Sequence, residues 1–566
     1  MDVKQEIINL FPKDIVEKYN LTANNIMQSP SNDMGDYCIA CFAFAKQEKK
    51  APALIAEELS STLNKNGICE KTEVAGGYLN FFLNKDVFSQ KVIKEILDKK
   101  SSFGQQNLGK GQTICLDYSS VNLAKHMHIG HFCTTIIGNV IKNLCKFFGY
   151  NTISINYVGD YGTPWGKMVR AYELWGDEEK LQMYGVDYVQ DLYIKFCREA
   201  ENDGGKLDKE ARVIFNKIES GEERYYRIYQ RLLNISIHGV EEIYDLLGIT
   251  FDSWRGEAYY SGKMRPIVEE LKAKGLLKDS QGAKVVDLEN FDLGTALVLK
   301  SDGSSLYLTR DLTACDDRFE NYGFVKSIYI TDVSQRLHFS QFFKIMELLG
   351  RPYADGLEHV YYGRVRLPEG KIASRLGKQA LCRDILNYSL SKTREIVESN
   401  KNISENEKEN VIKDVGIGAA IFSVIKNERI KDMVFDLDKA LDFEGETSPY
   451  IQYTRARCLS IEEKAGSLPQ NFALEHEQIS DESSFDLIKT LNRFEGSLLS
   501  SFEKREPSII CKNLVDISKA FNKFYANNRV IDEGKTSFSR LSLVVATKEI
   551  LSLGLNILGI GAPNKM

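Results

Sequence analysis

No long, unbroken hydrophobic run is present near either end of this chain. Met1-Asp2-Val3-Lys4-Gln5-Glu6 is charged and holds no signal-peptide core, and the most apolar stretch, Leu541 to Ile560, is interrupted by Lys548 and Glu549. Secretion and membrane spanning are therefore not expected, and the reading is a cytoplasmic protein. Paired cysteine spacing is lacking too. The 11 cysteines are an odd number, and the sole C-x-x-C, Cys38 and Cys41, has no second pair, which argues for reduced buried thiols rather than a disulfide framework or zinc site. Nor is there an excess of positive charge. With 73 Lys and Arg against 79 Asp and Glu the net charge is -6, which excludes a protein that coats nucleic acid generally. It leaves room for a focused basic surface whose RNA affinity falls with salt. A content of 43% hydrophobic and 27% charged residues is that of a soluble globular chain, and the length suggests about three or four domains.

Histidine is scarce, yet three of the 7 fall within six positions, in Asn122-Leu123-Ala124-Lys125-His126-Met127-His128-Ile129-Gly130-His131. This string follows a strand-like run, Thr113 to Ser119, and precedes an apolar-periodic segment, Phe132 to Phe148. On a helix starting near Met127, His128 and His131 share a face, with Gly130 leaving no side chain between them. Free N–H groups, the positive end of the helix dipole and two imidazole donors together make a site for polyphosphate. Two plainer readings stay open. A zinc pair at this spacing would want further ligands, of which nearby Cys133 is one at best, or all three histidines could be structural.

Three regions are read along the chain, 1–109, 110–392 and 393–566. The first is a small α/β module, with helices around Pro52 to Asn66 and Lys91 to Lys99 beside a strand at Gly77 to Leu83, ending in a linker from Gly104 to Gly111. In the second, strand candidates Thr113 to Ser119, Thr152 to Val158, Ser327 to Thr331 and His359 to Val365 alternate with helical stretches, as a parallel sheet demands. Motif residues cluster after the strands' C-terminal ends, where open α/β sheets bind ligands. A charged insertion of helical periodicity, about 167–290, carries Glu222-Glu223-Arg224-Tyr225-Tyr226-Arg227, read as a solvated face without chemistry. The third region is helical throughout. Tyr450, Tyr453 and Arg457 share one face there by spacing, a pattern that in isolation usually marks core.

Several further strings stand in order. Tyr307-Leu308-Thr309-Arg310-Asp311 follows Lys300-Ser301-Asp302-Gly303. Gly370-Lys371-Ile372-Ala373-Ser374-Arg375-Leu376-Gly377-Lys378 follows the fourth strand and, taken alone, is a basic surface loop. Ser448-Pro449-Tyr450-Ile451-Gln452-Tyr453-Thr454-Arg455-Ala456-Arg457 precedes an ending in Gly561-Ala562-Pro563-Asn564-Lys565-Met566. His128-Ile129-Gly130-His131 resembles the HIGH motif of class I aminoacyl-tRNA synthetases, and with the other strings the chain resembles the arginyl-tRNA synthetases over nearly its full length. That resemblance implies a Rossmann-like parallel-sheet catalytic domain with HIGH and degenerate KMSKS motifs. It also implies an N-terminal additional domain that contacts the tRNA elbow and a C-terminal all-α anticodon-binding bundle.

The resemblance further implies ATP-dependent activation of L-arginine and its transfer to the terminal adenosine of tRNA(Arg), at the 2′-hydroxyl, with activation requiring bound tRNA. Mg²⁺ is expected with ATP, no resident metal is expected, and a monomer is the expected state. His128, His131, Lys125 and Lys371 become the catalytic candidates, and Gly130, Ser374 and Arg375 join them around ATP. Lys125 stands in for the second lysine of the loop, where Ser374 is found. Two or three cations must meet the phosphates as pyrophosphate leaves. Asn122, Asn156 and Gln335 match positions that hold the substrate's amino and carboxylate groups, and His338 either borders the same pocket or packs. A guanidinium wants paired acceptors and an apolar or aromatic wall for its stem, supplied by Asp311 and Tyr307. Tyr161 replaces a commoner Trp, and Asn151 stands where some relatives carry a carboxylate. Tyr453, Tyr525 and Met566 become candidates to stack on anticodon bases. Two other readings are carried: a small-molecule nucleotidyltransferase of the same superfold, for which the helical bundle has no use, and a catalytically silent tRNA-binding paralogue.

Overall fold

The computed structural model describes residues 3–30, 34–64, 67–301, 307–366, 380–400, 403–469 and 471–566. In the N-terminal module, strands β1 (Ile26–Gln28), β2 (Tyr37–Ala40), β3 (Cys69–Ala75) and β4 (Tyr78–Leu83) form an antiparallel sheet in the order β1-β2-β4-β3. Alternate residues of β4, Leu79, Phe81 and Leu83, are buried, as a two-residue period requires when one face meets a core. A helix Pro52–Thr62 opens with proline at a first-turn position, where its missing N–H costs nothing, and buries Ile55, Ala56 and Leu59. A second helix, Lys85–Lys99, starts six residues before the expected Lys91 because the Asn84 side chain accepts from the Val87 N–H at 3.1 Å.

The central region is built on four parallel strands, β5 (Thr113–Asp117), β6 (Asn151–Ile155), β10 (Lys326–Asp332) and β11 (Leu357–Tyr362), in the order β11-β10-β5-β6. The apolar residues of these strands are covered from both faces, as is usual for parallel sheets. The helix Ile129–Phe147, here called the signature helix, connects β5 to β6, and Arg336–Leu348 connects β10 to β11. Between β6 and β10 the chain crosses to the other side of β5. The carboxyl ends of β5 and β10 therefore flank a topological switch point, the place where such sheets bind ligands.

The long excursion between β6 and β10 is helical as read, in Thr163–Trp175, Glu178–Ala200, Lys206–Glu219 and Glu223–Leu247. It does not stay so. It passes into a three-stranded antiparallel sheet, β7 (Leu277–Ser280), β8 (Ala283–Asp287) and β9 (Thr295–Leu299), that the sequence reading missed, and returns to β10 through the helix Tyr307–Tyr322. The strands are short, and charged residues on β7 and β8 pair across them, Lys278 with Asp287 at 2.9 Å and Lys284 with Asp279 at 2.6 Å, so little apolar alternation shows.

The C-terminal region is a bundle including Cys382–Ser399, Glu405–Ile425, Ser448–Ala465, Glu482–Lys504, Ser508–Asn527 and Phe538–Ile557. Phe538–Ile557, the tail helix, buries residues on nearly every face, which accounts for the most apolar stretch of the chain as a bundle core. Among the described residues no helix is long and apolar enough to cross a membrane.

The signature helix lies against the segment leaving β5 at Gly138, where an added Cβ would stand 2.3 Å from the Tyr118 ring. Both residues are buried. Gly138→Ala is expected to destabilise the protein by about 1 to 3 kcal/mol through overpacking, read as a lower urea midpoint at unchanged slope. An unchanged midpoint would mean that helix and segment are not in this close contact.

Candidate active site

The signature helix begins at Ile129, two residues beyond Met127, and its start is made by the two histidines themselves. His128 is the N-cap. Its Nδ1 accepts from the Gly130 N–H at 3.1 Å, and His131 Nδ1 accepts from the His128 N–H at 3.3 Å. This is a capping box built from imidazoles instead of the usual hydroxyl and carboxylate. The Ile129 N–H donates to Ala380 O at 2.9 Å. The backbone N–H groups of positions 128, 129 and 130 are thus spent inside the protein, which corrects the expectation of free amides for a phosphate. Accepting through Nδ1 places each proton on Nε2, so the turn's remaining donors are the two Nε2–H groups, on rings 4.0 Å apart.

Burial, the neighbouring His128 and the charge of Lys125 push His131 down to about 3. Burial and Lys125 lower His128 as well. Both rings are therefore neutral donors at ordinary pH. Lys125 is exposed. Gly130 would carry a Cβ only 3.0 Å from His128 Cε1, so its lack of a side chain also lets the His128 ring fold over the turn. Lys371, Ser374 and Arg375, with the rest of that loop, lie outside the described residues. The chain re-enters the description at Ala380, and Leu381 forms an antiparallel bridge with His128 while the Cys382 N–H donates to Met127 O at 2.8 Å.

The strand ends bring most of the substrate candidates together. Asn156, wholly buried, donates from Nδ2 to the Tyr244 hydroxyl at 3.0 Å, and its Oδ1 has no partner. Tyr244 meets Ser119 Oγ at 2.6 Å, and Thr135, one turn beyond His131, donates to the same Ser119 oxygen at 2.7 Å. Asn122 is held by accepting from the Ala124 N–H at 3.0 Å. Asp311 accepts from His338 Nε2 at 2.7 Å, which places His338 at the pocket. Gln335 is exposed at the start of the helix after β10. Tyr307 is 64% exposed with the Arg310 guanidinium 5.1 Å over its ring, an open edge more than a closed wall. Tyr161 lies under the same guanidinium at 5.2 Å and bonds Glu219 through its hydroxyl.

Three acids in this pocket were not picked out from the sequence. Asp117, the last residue of β5, pairs with buried Arg318 at 2.7 Å and accepts from Ser120 Oγ at 2.6 Å. Burial pushes its carboxyl up against the pull of Arg318, with Asp311 adding to the rise. Glu257 is raised to about 7 by burial, resisted by Arg310 at 3.5 Å and reinforced by Asp311 and Asp160. Asp160 is raised to about 6 by burial. Asp117 ended a strand read as continuing to Ser119, and Glu257 and Tyr244 come from the insertion that was given no chemistry. Asn151 sits at the opposite, N-terminal end of β6, exposed and bonded to Thr113 Oγ1 at 3.2 Å. Distance along the strand removes it from the guanidinium pocket.

Far from the sheet, Tyr453 and Tyr525 are 38% and 42% exposed, and Arg457 stands 4.8 and 5.6 Å over their rings. Arg457 also donates to Tyr453 Oη at 3.1 Å and to Asn522 at 3.0 Å, so the tyrosines and the cation form one exposed platform. Met566 packs instead against an apolar cluster of Val397, Ile403, Val411, Ile412 and Val415, to which neither tyrosine belongs. Arg455 fixes the tail leading to it through Ala562 O and Pro563 O, both at 3.2 Å.

A family model described as tRNA synthetases class I (R), catalytic domain, matches residues 92–437. A DALR anticodon binding domain model matches 451–566, and an arginyl tRNA synthetase N terminal domain model matches 2–83. The arginine–tRNA ligase of Halothermothrix orenii is 41% identical over 568 residues, covering 100% of both chains. That of Alkaliphilus metalliredigens is 42% identical, covering 95% of this chain and 94% of its own. Among solved structures, an arginyl-tRNA synthetase of Thermus thermophilus superposes with a TM-score of 0.79 at 24% identity, covering 96% of each chain, a likeness that speaks for the fold.

The depressed His131 has a consequence for stability. Between its unfolded value near 6.5 and its folded value of about 3, the unfolded chain binds the extra proton, so this contribution is complete above about pH 6.5 and is lost as pH falls. His131→Asn, which keeps an acceptor but no titrating ring, is expected to lose stability less steeply between pH 6 and 4.5, by about 1.4 kcal/mol per pH unit. Urea unfolding of both proteins across that range checks it, and parallel slopes would show that His131 titrates normally.

Proposed function

Because the chain belongs to the class I arginyl-tRNA synthetases, we propose that it charges tRNA(Arg) with L-arginine in two steps carried out by the residues around the switch point. In the first, a carboxylate oxygen of arginine attacks the α-phosphorus of ATP, and the bond to the bridging β-oxygen breaks, giving arginyl-adenylate and pyrophosphate. In the second, the 2′-hydroxyl of the terminal adenosine attacks the arginyl carbonyl, AMP leaves, and the hydroxyl proton passes to solvent. No side chain forms a covalent bond. Catalysis consists of placing the reactants and meeting charge as it develops.

His128 and His131 present Nε2–H groups to the phosphates, while Lys125 and Lys371 meet the departing pyrophosphate, with Gly130, Ser374 and Arg375 completing the nucleotide site. Support for this reading comes from the histidine cap, which leaves two neutral donors side by side. Mg²⁺ would travel with the ATP phosphates and supply further neutralisation of their charge. Asn122, Asn156 and Gln335 hold the amino acid's α-groups, and the unpaired Oδ1 of Asn156 suits an ammonium. The observation that carries the choice of arginine is the acid-rich pocket. Asp117, Asp160, Glu257 and Asp311 surround two resident arginines, and burial holds three of the four carboxyls above their usual range. A further guanidinium relieves that imbalance, with Asp311 as its carboxylate and Tyr307 along its stem. Residues 1–109 meet the tRNA elbow, the protein acts in the cytoplasm as a monomer, and Tyr453, Tyr525 and Met566 meet the anticodon. Arginine-dependent exchange of pyrophosphate into ATP, with and without tRNA, tests this reading. A nucleotidyltransferase would ignore arginine and a silent paralogue would show no exchange.

Asp311→Asn is expected to lower kcat/KM for arginine by about 2 to 5 kcal/mol, as when one partner of a buried charge pair is lost, with the KM for ATP nearly unchanged. Steady-state kinetics with each substrate varied separates the two, and an unaltered arginine constant would remove Asp311 from the pocket.

Tyr453→Ala should weaken tRNA binding by about 1 to 3 kcal/mol of base stacking. If activation requires the tRNA-bound conformation, exchange at subsaturating tRNA should fall with it. Exchange that runs equally well without tRNA in both proteins would refute that coupling.

A further inference from the structure

Three turns along the signature helix from its histidines, a cleft of about 640 Å³ opens between that helix, the end of the insertion helix Glu223–Leu247, and the end of the tail helix. Lys142 lines it, is only 7% exposed, and has no ion pair among the described residues. Burial and the like charge of Lys146 push Lys142 down to about 8, with Asp252 the acid that opposes them. Asp252 is itself committed to the Ser154 N–H at 2.8 Å and hydroxyl at 2.6 Å. At neutral pH the lysine is therefore mostly charged and nine-tenths buried, its ammonium facing the cleft with no acid paired to it among the described residues, an arrangement that favours an anion there.

The rest of the lining points to what that is. Lys146, one helical turn on, stands exposed at the mouth. Asn139, Asn143 and Asn556 add amide groups, and no aspartate or glutamate lines the cleft. Phe147 and Leu553 supply apolar wall. The volume falls within the range of small-molecule sites. Two cations one turn apart with amide donors suit tetrahedral oxyanions, and the apolar wall leaves room for an organic remainder.

We infer that this cleft is a second, non-catalytic site for a small phosphate-bearing anion, held by Lys142 and Lys146 between the signature helix and the tail helix. The depth of Lys142 favours a small ligand over an RNA backbone, which meets exposed cations. The inference does not depend on the proposed reaction, and it is read by binding.

The test is equilibrium dialysis of radiolabelled inorganic phosphate against the full chain carrying His128→Ser and His131→Glu, a conventional capping box that keeps the helix start while removing the donors proposed for ATP. One saturable site is expected. Adding Lys142→Met should weaken it by roughly 10- to 100-fold, the loss of one charge-assisted hydrogen bond, and Lys142→Arg should retain it. The Met variant removes an unpaired charge and should melt no lower than its parent in phosphate-free buffer. Should it fail to fold, Lys142→Gln takes its place. Absence of a saturable site, or affinity indifferent to Lys142, would overturn the inference. So would displacement of the phosphate by tRNA together with a comparable loss of tRNA affinity in the Lys142 variant, which would give the site to RNA.

Discussion

The active site hangs on an unusual helix cap. A helix start must find partners for its first N–H groups, and here two imidazoles do so through Nδ1. One requirement of folding thereby settles two requirements of chemistry: the tautomer of each ring and the direction of its Nε2–H. Burial then keeps the rings uncharged, so they donate without repelling the nearby Lys125. Any residue that capped the helix equally well but carried no second nitrogen would leave the fold and remove the donors. The same turn is fastened from outside, by Ala380 O on the Ile129 N–H and by the Tyr362 hydroxyl on Gly130 O at 2.9 Å. The segment following the second basic loop is therefore tied to the first phosphate motif by backbone bonds.

From this turn a chain of hydroxyls leads to the amino-acid pocket. Thr135 meets Ser119, Ser119 meets Tyr244, and Tyr244 meets Asn156. Each is buried, where a polar group left unpaired costs roughly 1 to 3 kcal/mol, so the members hold one another in place. The pocket beyond is balanced differently. Arg318 and Arg310 occupy acids that a cationic substrate would also seek, and His338 occupies Asp311. The resident cations allow a cluster of carboxylates to be buried in the absence of substrate, while the carboxyls raised by burial show that neutralisation is incomplete.

Much of this was legible in the sequence, for physical reasons that differ by element. The parallel sheet was readable because buried strands are apolar runs between helical stretches. The signature turn was readable because scarce residues cluster there. What the sequence could not yield was distance across the chain. Glu257 and Tyr244 come to the site from a charged insertion, and nothing in their local pattern separates them from the solvated face beside them. Asp117 was hidden by being counted as strand, and Asn151 was misplaced because one strand has two ends and a linear motif does not say which faces the ligand. The capping geometry escaped because histidine is not a usual N-cap. The sheet β7-β8-β9 escaped because its charges pair across strands and erase the alternation. The loop 370–378 lies outside the described residues, so its role rests on the family alone.

The remaining question is how a platform on the bundle could speak to the histidine turn. The helix that carries Tyr453 also carries Gln452 and Arg455, which hold Gly561 O at 2.7 Å and the carbonyls of Ala562 and Pro563. That tail grows from the tail helix, whose Ile557 O accepts from Asn143 of the signature helix at 3.1 Å. Asn139 lies one turn nearer the histidines, close against Gly559. The platform helix, the tail and the signature helix are thus joined by direct bonds, and the Lys142 cleft sits at their junction. Contiguity supplies a path but no energy. For tRNA to favour activation, it must bind one arrangement of this junction more tightly than another, by as much as the activation equilibrium is to be shifted. Lys142 and Lys146 both line that junction without an ion pair among the described residues. What holds the tail against the signature helix there is neutral hydrogen bonding, the Asn143 amide on Ile557 O, so a shift of one against the other breaks no ion pair at either lysine.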